Sequence, residues 1–244
     1  MQTQKKHWKE KYTVAGAKRF ARHCLAKPCM NMTVYKYVPK LFLLARFGVR
    51  NNKNTEMYWS EIHRAEEDHH NPRFDNAVSL LLKRIDIKDK DVLDVGCARG
   101  VFLSTLTDAR TRVGVDVSSS AVKIVQSKGI EAYCRALPNL DLQRQFDVVT
   151  CFETLEHVSS WKASVNALLD HVKHGGYLVL SVPFENGILI SEHVTYFDLH
   201  RLYDYLRKKV TIIEIKIIGP WILVISQKKK YGRSEIYDAY PEFR

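Results

Sequence analysis

The stretch that decides the fold begins at Asp91 and reads DVLDVGCARGVFLSTLTDARTRVGVDV through Val117. From here onward short apolar runs alternate with helical patterns, which is the signature of strand–helix–strand units and a largely parallel sheet. The runs DVLDVGC, FDVVTCF and YLVLSVP are too continuously apolar for a sheet with one wet face, so we expect helices on both faces. The predicted strands are Asp91–Cys97, Arg112–Val117, Ile130–Cys134, Phe146–Phe152 and Tyr177–Val182.

The segments between these strands carry recognisable helix ends. The serines at 118–120 offer N-caps for a helix that ends at Gly129. A later helix begins near Ser160 and is predicted to stop at Gly175-Gly176. Near the end of the chain, VTIIEIKIIGPWILVISQKKK contains two β-rich runs split by Gly219-Pro220, which indicates an antiparallel hairpin after the parallel strands.

Composition excludes several classes of protein. The chain has 244 residues, of which 45% are apolar, so it can bury a sizeable core and is not globally disordered. It contains no uninterrupted apolar run of the roughly 18 residues that a membrane-spanning helix needs. Five scattered cysteines argue against a disulfide scaffold and favour a reducing compartment, so we expect a cytoplasmic protein.

The chemistry is expected where the strands end, because ligands of open α/β sheets bind at the carboxyl ends of the strands. Gly96 follows the first strand, where a missing Cβ lets the backbone approach a ligand closely. The segment from Gly96 to Gly100 lacks the middle glycine of the G-x-G-x-x-G motif that binds dinucleotides, and this disfavours an NAD-type dehydrogenase. Asp116 ends the next strand, and its carboxylate can accept hydrogen bonds from both hydroxyls of an adenosine ribose.

Five segments together carry a family resemblance, namely VLDVGCARG, VGVDVS, FDVVTCFETLEHV, HGGYLVLSVP and SEHVTYFDLHRL. From about Asp91 to Lys228 the sequence resembles the class I S-adenosylmethionine-dependent methyltransferases. It is most similar to their ubiquinone-biosynthesis O-methyltransferase-like branch. The resemblance implies a Rossmann-like α/β sandwich whose seven-stranded, mostly parallel sheet ends in the antiparallel hairpin.

The same resemblance implies which residues bind S-adenosylmethionine. Asp94, Gly96 and the turn residues Cys97, Ala98 and Arg99 would line its methionine part. Asp116 would hold the ribose, Val117 would flank the adenine, and Phe152 and Glu153 would border the methyl group. Ala98 departs from the family pattern, in which glycine is common at this position.

The implied reaction is transfer of the methyl group to an oxygen of a small-molecule or lipid-linked acceptor such as a quinone, a sugar or another metabolite. A hydroxyl acceptor must lose a proton, and His157, Glu153 or His193 could serve as the base. Two alternatives stay open: a metal-assisted RNA 2′-O-methyltransferase, and a non-catalytic partner that binds S-adenosylmethionine and activates another methyltransferase.

A metal site is a further hypothesis. Glu153, Glu156, His157 and His193 offer two carboxylates and two imidazoles, which could hold Mg²⁺, Mn²⁺ or Zn²⁺. The small-RNA 2′-O-methyltransferases use a similar pattern to bind a metal. The alternative is that Glu156 and His157 only cap and orient the local helix.

The charged residues are unevenly distributed along the chain. Residues 1–50 contain eight Lys and four Arg but a single acid, Glu10, whereas the remainder is neutral overall. We therefore divide the chain into a basic arm at 1–50, a methyltransferase domain at 51–230 and a tail at 231–244. In the family that the chain resembles, the segment before the sheet commonly forms an acceptor-binding lid, which we favour for the arm. Peripheral binding to an anionic membrane surface, RNA binding and a cleaved targeting segment are the alternatives.

Overall fold

The computed structural model describes residues 54–65, 83–184 and 192–229. Predictions about the basic arm at 1–50 and the tail at 231–244 concern residues outside these ranges. The helices are α1 (Glu56–Ala65), α2 (Val101–Thr105), α3 (Ser119–Ser127), α4 (Trp161–Asp170) and α5 (Leu199–Leu206), with a 3₁₀ turn at Leu155–His157. The strands are β1 (Asp91–Val95), β2 (Thr111–Asp116), β3 (Glu131–Cys134), β4 (Phe146–Phe152), β5 (Val172–Pro183), β6 (Val210–Ile218) and β7 (Trp221–Lys228).

The seven strands form one sheet in the order β3-β2-β1-β4-β5-β7-β6. Strands β1 to β5 pair in parallel, whereas β7 is antiparallel to both β5 and β6. The predicted α/β fold with its terminal hairpin is thereby confirmed. Because the order reverses between β1 and β4, the carboxyl ends of β1, β2 and β4 border the crevice in which open α/β sheets bind ligands.

Buried hydrophobic residues lie on both faces of the sheet, as we predicted from the continuously apolar strand sequences. One core contains Leu93, Val149 and Leu180 together with α4 and α5, and the other contains Val92, Val148 and Val179 together with α2 and α3. Neighbouring residues of one strand thus enter opposite cores. The central strands are therefore buried on both sides, and their ligand-binding ends are held on a rigid frame.

The predicted ends of α3 are confirmed, whereas β5 begins at Val172 and not at the predicted Tyr177, and the predicted end of α4 is also wrong. Ser118 caps α3 by accepting a hydrogen bond from the Ala121 N–H at 3.0 Å, and Gly129 follows α3 with a φ of +73°. The prediction that Gly175-Gly176 ends a helix is wrong, because α4 already ends at Asp170 and both glycines lie within β5. A Cβ at Gly176 would lie 2.8 Å from the carbonyl oxygen of Asp147 on β4, so close strand packing accounts for that glycine.

Ion pairs stabilise the edge of the sheet at which the parallel strands begin. Asp91 of β1 accepts hydrogen bonds from Arg110 at 2.5 Å and from Lys173 of β5 at 2.8 Å. The Arg110 guanidinium holds the pKa of Asp91 well below its usual range. Within the three ranges given above, none of the helices combines the length and the apolar character that crossing a bilayer requires.

Candidate active site

The turn after β1 is shaped by a glycine that no other residue could replace without strain. Gly96 has a φ of +81°, and an ideal Cβ there would lie 2.0 Å from Oγ1 of Thr154, which follows β4. The Gly96 and Cys97 N–H groups both donate to the Val115 carbonyl oxygen of β2, at 2.7 and 3.0 Å. The carboxyl ends of β1, β2 and β4 therefore meet at a backbone turn that has no side chain at residue 96.

Asp116 joins two of these turns. Its carboxylate accepts hydrogen bonds from the Ala98 N–H at 2.9 Å and from the Ser118 N–H at 2.8 Å, one on each oxygen. Ala98 adopts a φ of +46°, which explains why glycine would suit this position. Burial raises the pKa of Asp116 while these amides oppose the shift. A carboxylate has about four acceptor sites, so Asp116 can still bind a ribose hydroxyl.

Asp94 is the second buried acid of this edge. Its side chain is 3% exposed and accepts a 2.7 Å hydrogen bond from the Thr150 hydroxyl of β4. Burial raises the pKa of Asp94 to about 7. A nearby cation would favour the ionised form and lower this pKa, so the site suits the positively charged methionine part of a sulfonium cofactor.

The other predicted cofactor-binding residues differ in their burial and in the groups that they contact. The Cys97 side chain packs against Gly114, where an ideal Cβ would lie 2.8 Å from its Sγ, and its thiol lies 3.7 Å from the Ala98 carbonyl oxygen in the turn. The guanidinium of Arg99 donates a 2.7 Å hydrogen bond to the carbonyl oxygen of His63. Val117 follows Asp116 and is half-buried. Phe152 is buried edge-on against Phe102, with ring centroids 5.2 Å apart.

Glu153 follows β4 in a strained conformation. Its φ is +46°, and its carboxylate accepts a 2.7 Å hydrogen bond from the Ser181 hydroxyl of β5. Burial raises the pKa of Glu153 to about 7. Non-glycine residues in this backbone region cost roughly 1–3 kcal/mol and concentrate at functional sites.

Glu156, His157 and His193 form a compact cluster beside Glu153. Each offers a ligand atom within 4.8 Å of the others, and Oε1 of Glu156 lies 3.9 Å from Nε2 of both histidines. The N–H groups of Val194 and Thr195 donate to the Glu156 carbonyl oxygen, which brings His193 to the 3₁₀ turn across 36 residues of sequence. Glu153, the fourth predicted metal ligand, does not belong to this cluster, because its carboxylate is tied to Ser181.

The electrostatics of this cluster suit a cation. Glu156 is 1% exposed, burial raises its pKa well above the usual range, and its Oε2 has no hydrogen-bond partner among the described residues. Nδ1 of His157 lies 3.1 Å from the carbonyl oxygen of Glu192, which can only accept, so Nδ1 carries the hydrogen and Nε2 presents a lone pair. Burial also lowers the pKa of His157, which favours this neutral form.

Helix α1 adds residues that the sequence analysis missed. Trp59 meets the His157 ring edge-on at 4.9 Å and stacks on His63 with centroids 5.9 Å apart. The Tyr58 hydroxyl donates a 2.5 Å hydrogen bond to Glu192. The four-residue spacing of Trp59 and His63 places them on one helical face, and this spacing was the signal available in the sequence.

The residues at the three strand ends fit S-adenosylmethionine. A Cβ at residue 96 would close the turn, Asp116 retains acceptor capacity for a ribose, and the buried acid Asp94 suits a cationic ligand. The cluster after β4 also has the donor types that a divalent ion takes, because it combines two imidazoles with a Glu156 oxygen that has no hydrogen-bond partner within the described ranges.

Comparison with known proteins now identifies the class. A family model described as a methyltransferase domain matches residues 67–209, which is more than half of the chain. Among curated proteins, the ubiquinone biosynthesis O-methyltransferase of Idiomarina loihiensis is 36% identical over 120 residues, covering 43% of this chain and 49% of that protein. The enzyme of the same name from Bordetella avium is 35% identical over 109 residues, covering 41% and 45%. The chain thus spans about half the length of the curated relatives it matches.

Solved structures show the same fold. N-methyltransferase NodS from Bradyrhizobium japonicum, in complex with S-adenosylhomocysteine, has a TM-score of 0.61 at 17% identity over 73% of this chain and 99% of that one. Magnesium protoporphyrin IX methyltransferase from Synechocystis, with the same ligand, has a TM-score of 0.59 at 16% identity over 73% and 100%. The [4+2]-cyclase SpnF also shares the fold, with a TM-score of 0.55 at 16% identity over 64% and 80%. Since the fold hosts more than one chemistry, the reaction has to be argued from the site.

The chain belongs to the methyltransferase-domain family. The resemblance to the class I S-adenosylmethionine-dependent methyltransferases is confirmed by the family match and the curated relatives, and the solved structures show the same fold.

Proposed function

We propose that the protein transfers a methyl group from S-adenosylmethionine to an oxygen of a small-molecule acceptor. The observation that supports the proposal is that the Gly96 turn and the Asp116 carboxylate, at the ends of β1 and β2, lie at the same edge of the sheet as the buried cluster containing His157 after β4. The names of the matched relatives, which are O-methyltransferases, support an oxygen acceptor. When bound, S-adenosylmethionine supplies a methyl group on a positively charged sulfur that leaves as a neutral sulfide.

The cofactor-binding roles follow from geometry. We assign Asp116 to the ribose hydroxyls, since its carboxylate ends β2 and retains acceptor capacity. Asp94 and the Gly96 turn face the methionine part, where an ionised carboxylate stabilises positive charge. The rings of Phe152 and Trp59 flank the region between cofactor and acceptor and help to exclude water.

His157 is the residue that we assign as the base. Its Nδ1 hydrogen is directed to the Glu192 carbonyl oxygen, which orients the ring and leaves the Nε2 lone pair to take the acceptor proton. Glu153 has a pKa near neutrality and a fixed position through Ser181, so it can bind or orient the acceptor hydroxyl. The alignment of these groups on rigid strand ends supplies most of the catalysis that such a displacement needs.

As an alternative use of the same cluster, we propose that Glu156, His157 and His193 bind a divalent cation. Nε2 of His157 would then be a metal ligand, and the acceptor proton would pass to solvent instead of to His157. Ligand atoms bound to one ion at about 2.0–2.2 Å lie within about 4.4 Å of each other. The two 3.9 Å separations between Glu156 and the histidines satisfy this limit, and all three ligand atoms lie within 4.8 Å of one another. Two imidazoles with one carboxylate suit Zn²⁺ or Mn²⁺ better than Mg²⁺, which prefers oxygen ligands. Such an ion would lower the pKa of an acceptor hydroxyl.

Metal analysis of the purified protein tests this part of the proposal. We expect about one Zn²⁺ or Mn²⁺ for each chain, loss of methyl transfer after exhaustive chelation, and recovery when the ion is returned. The variant Glu156→Gln should reduce metal content while leaving binding of S-adenosylhomocysteine intact. Full activity after chelation would show that the cluster works without a metal.

For the acceptor we propose a lipid-linked or otherwise apolar small molecule, with residues 1–50 acting as its lid. The curated relatives are named for ubiquinone biosynthesis, and the net charge of +11 in this segment would also attract an anionic membrane surface. Deletion of residues 1–50 should abolish turnover while sparing binding of S-adenosylhomocysteine. Unchanged turnover would rule out the lid.

The test of the base uses methyl transfer from labelled S-adenosylmethionine. The variant His157→Gln should lower the rate roughly 10²–10⁴-fold, the range typical of losing a general base. Its affinity for S-adenosylhomocysteine should stay within about twofold. His200→Gln, on the exposed face of α5, is the matched control and should behave as the wild type. An unaffected rate in His157→Gln would refute the assignment.

A further inference from the structure

Helix α1 lies directly against both turns of the proposed cofactor cradle. Its Ser60 hydroxyl is 3.3 Å from the hydroxyl of Ser118, which follows β2. The Arg99 guanidinium, from the turn after β1, donates a 2.7 Å hydrogen bond to the His63 carbonyl oxygen. The face of α1 that carries Ser60 and His63 is therefore fixed beside the carboxyl ends of β1 and β2.

His63 is the residue on this face whose chemistry the fold leaves unexplained. Its side chain is 8% exposed, and its ring stacks on Trp59 at an interplanar angle of 26°. Nδ1 is buried and has no hydrogen-bond partner among the described residues. Leaving a buried polar atom unpaired destabilises the folded state, so an apolar ring of the same shape would serve folding better.

The surroundings of His63 indicate what its nitrogen is for. The imidazole lies within electrostatic reach of the Asp116 carboxylate, since a positive charge on His63 lowers the pKa of Asp116. Both oxygens of Asp116 already accept backbone N–H groups, so the carboxylate is held in place from β2 and the adjoining turns. A ligand hydroxyl can donate to Asp116 and simultaneously pair with a second polar group, because a hydroxyl both donates and accepts.

We propose that His63 is a further cofactor-binding residue, whose Nδ1 hydrogen-bonds a ribose hydroxyl of S-adenosylmethionine from α1 while Asp116 binds the ribose from β2. The assignment rests on the proposed function, because it requires that the cradle binds this cofactor. It gives α1 a direct role in cofactor affinity. Trp59, which touches both His63 and His157, then connects the cofactor side of the site with the acceptor side.

The experiment measures the affinity of the full-length protein for S-adenosylhomocysteine by calorimetry. His63→Phe keeps an aromatic ring on Trp59 but removes both nitrogens, and should weaken binding about three- to tenfold, the effect of one hydrogen bond. His63→Asn retains a polar atom near the position of Nδ1 and should restore most of the affinity. Glu61→Ala, on the exposed face of α1, is the control and should bind as the wild type.

Two further readouts separate ligand binding from packing. The 2′,3′-dideoxy form of S-adenosylhomocysteine should bind the wild type and His63→Phe equally, because the hydroxyls that His63 would contact are missing. The thermal midpoint of His63→Phe without ligand should equal or exceed that of the wild type. Equal affinity of wild type and His63→Phe for S-adenosylhomocysteine, or an equal loss with both ligands, overturns the inference alone. Failure of the wild type to bind S-adenosylhomocysteine overturns the proposed function and this inference with it.

Discussion

The substitution Gly96→Ala tests the cofactor turn through two separable penalties. The backbone of residue 96 has a φ of +81°, which costs a residue with a Cβ about 1–2 kcal/mol. The new Cβ would also lie 2.0 Å from Oγ1, 2.8 Å from Cγ2 and 2.9 Å from Cβ of Thr154. Overpacking of this kind costs about 1–3 kcal/mol, so we expect a total loss of about 2–5 kcal/mol in the free energy of unfolding. Because Thr154 and the turn must move apart, affinity for S-adenosylhomocysteine should fall as well.

Gly129→Ala is the matched control for this prediction. Gly129 has a similar φ of +73°, but a Cβ there meets nothing within 4 Å, so this variant should show the backbone penalty alone and bind S-adenosylhomocysteine normally. Urea denaturation measures both free energies. Adding Thr154→Gly to Gly96→Ala should recover about 1–3 kcal/mol relative to the sum of the single effects. If Gly96→Ala is no more destabilising than Gly129→Ala, the steric reasoning is refuted.

Three further predictions concern acidic residues. Asp116→Ala should abolish measurable binding of S-adenosylhomocysteine in calorimetry, and near-normal affinity would mean that the ribose site is misplaced. Because burial raises the pKa of Asp94 to about 7, its carboxyl is neutral below this pH and anionic above it, so affinity for cationic S-adenosylmethionine should rise from pH 6 to pH 8. Asp94→Asn should flatten that profile, and an unchanged profile would assign it to another group. Asp91→Asn should lower the free energy of unfolding by about 1 kcal/mol, a modest loss because Arg110 and Lys173 are partly exposed, and urea denaturation at pH 7 should detect it.

The raised pKa of Asp94 also makes the free energy of unfolding depend on pH. The folded protein binds this proton more tightly than the unfolded chain does, so the free energy of unfolding should fall as the pH rises from about 4 to about 7. Asp94→Asn should remove that part of the pH dependence in urea denaturation. A stability that is independent of Asp94 across this interval would contradict the burial of its carboxyl.

The sheet was predictable because its strands carry an unambiguous pattern. Phe146–Phe152 matches β4 to the residue, since a continuous apolar run can be satisfied only between two helical layers. The length of β5 was not predictable, because Lys173, His174 and two glycines have no strand signature of their own. Its beginning is set by pairing with β4 around an irregular register between Phe146 and Val148, which is a tertiary effect.

The site was only partly predictable. Residues at or directly after the end of a strand, such as Asp116 and Glu153, can be placed because the carboxyl ends of parallel strands share one edge of the sheet. The meeting of His193 with Glu156 depends on backbone hydrogen bonds between two distant segments, and no local pattern reports these. The role of α1 was missed because its contacts with the turns arise from packing, although Trp59 and His63 stand four residues apart.

The proposed function thus places cofactor binding and removal of the acceptor proton on different segments at the same edge of the sheet. In the proposed function the turns after β1 and β2 hold the cofactor and His157, after β4, acts as the base, while α1 contacts both regions. This division predicts that variants of the turns change binding, whereas variants of the 3₁₀ segment change rate. Calorimetry and single-turnover rates measured on the same variants distinguish the two effects.

The most direct test of the central claim is methyl transfer itself. Protein and whole-cell extract are incubated with methyl-labelled S-adenosylmethionine, and the products are divided into organic and aqueous phases, with Asp116→Ala as the background. We expect label in a small molecule of the organic phase for the wild type and none above background for the variant. Absence of transfer by the wild type, or label confined to aqueous material that nuclease digestion releases, would contradict methylation of a small-molecule acceptor.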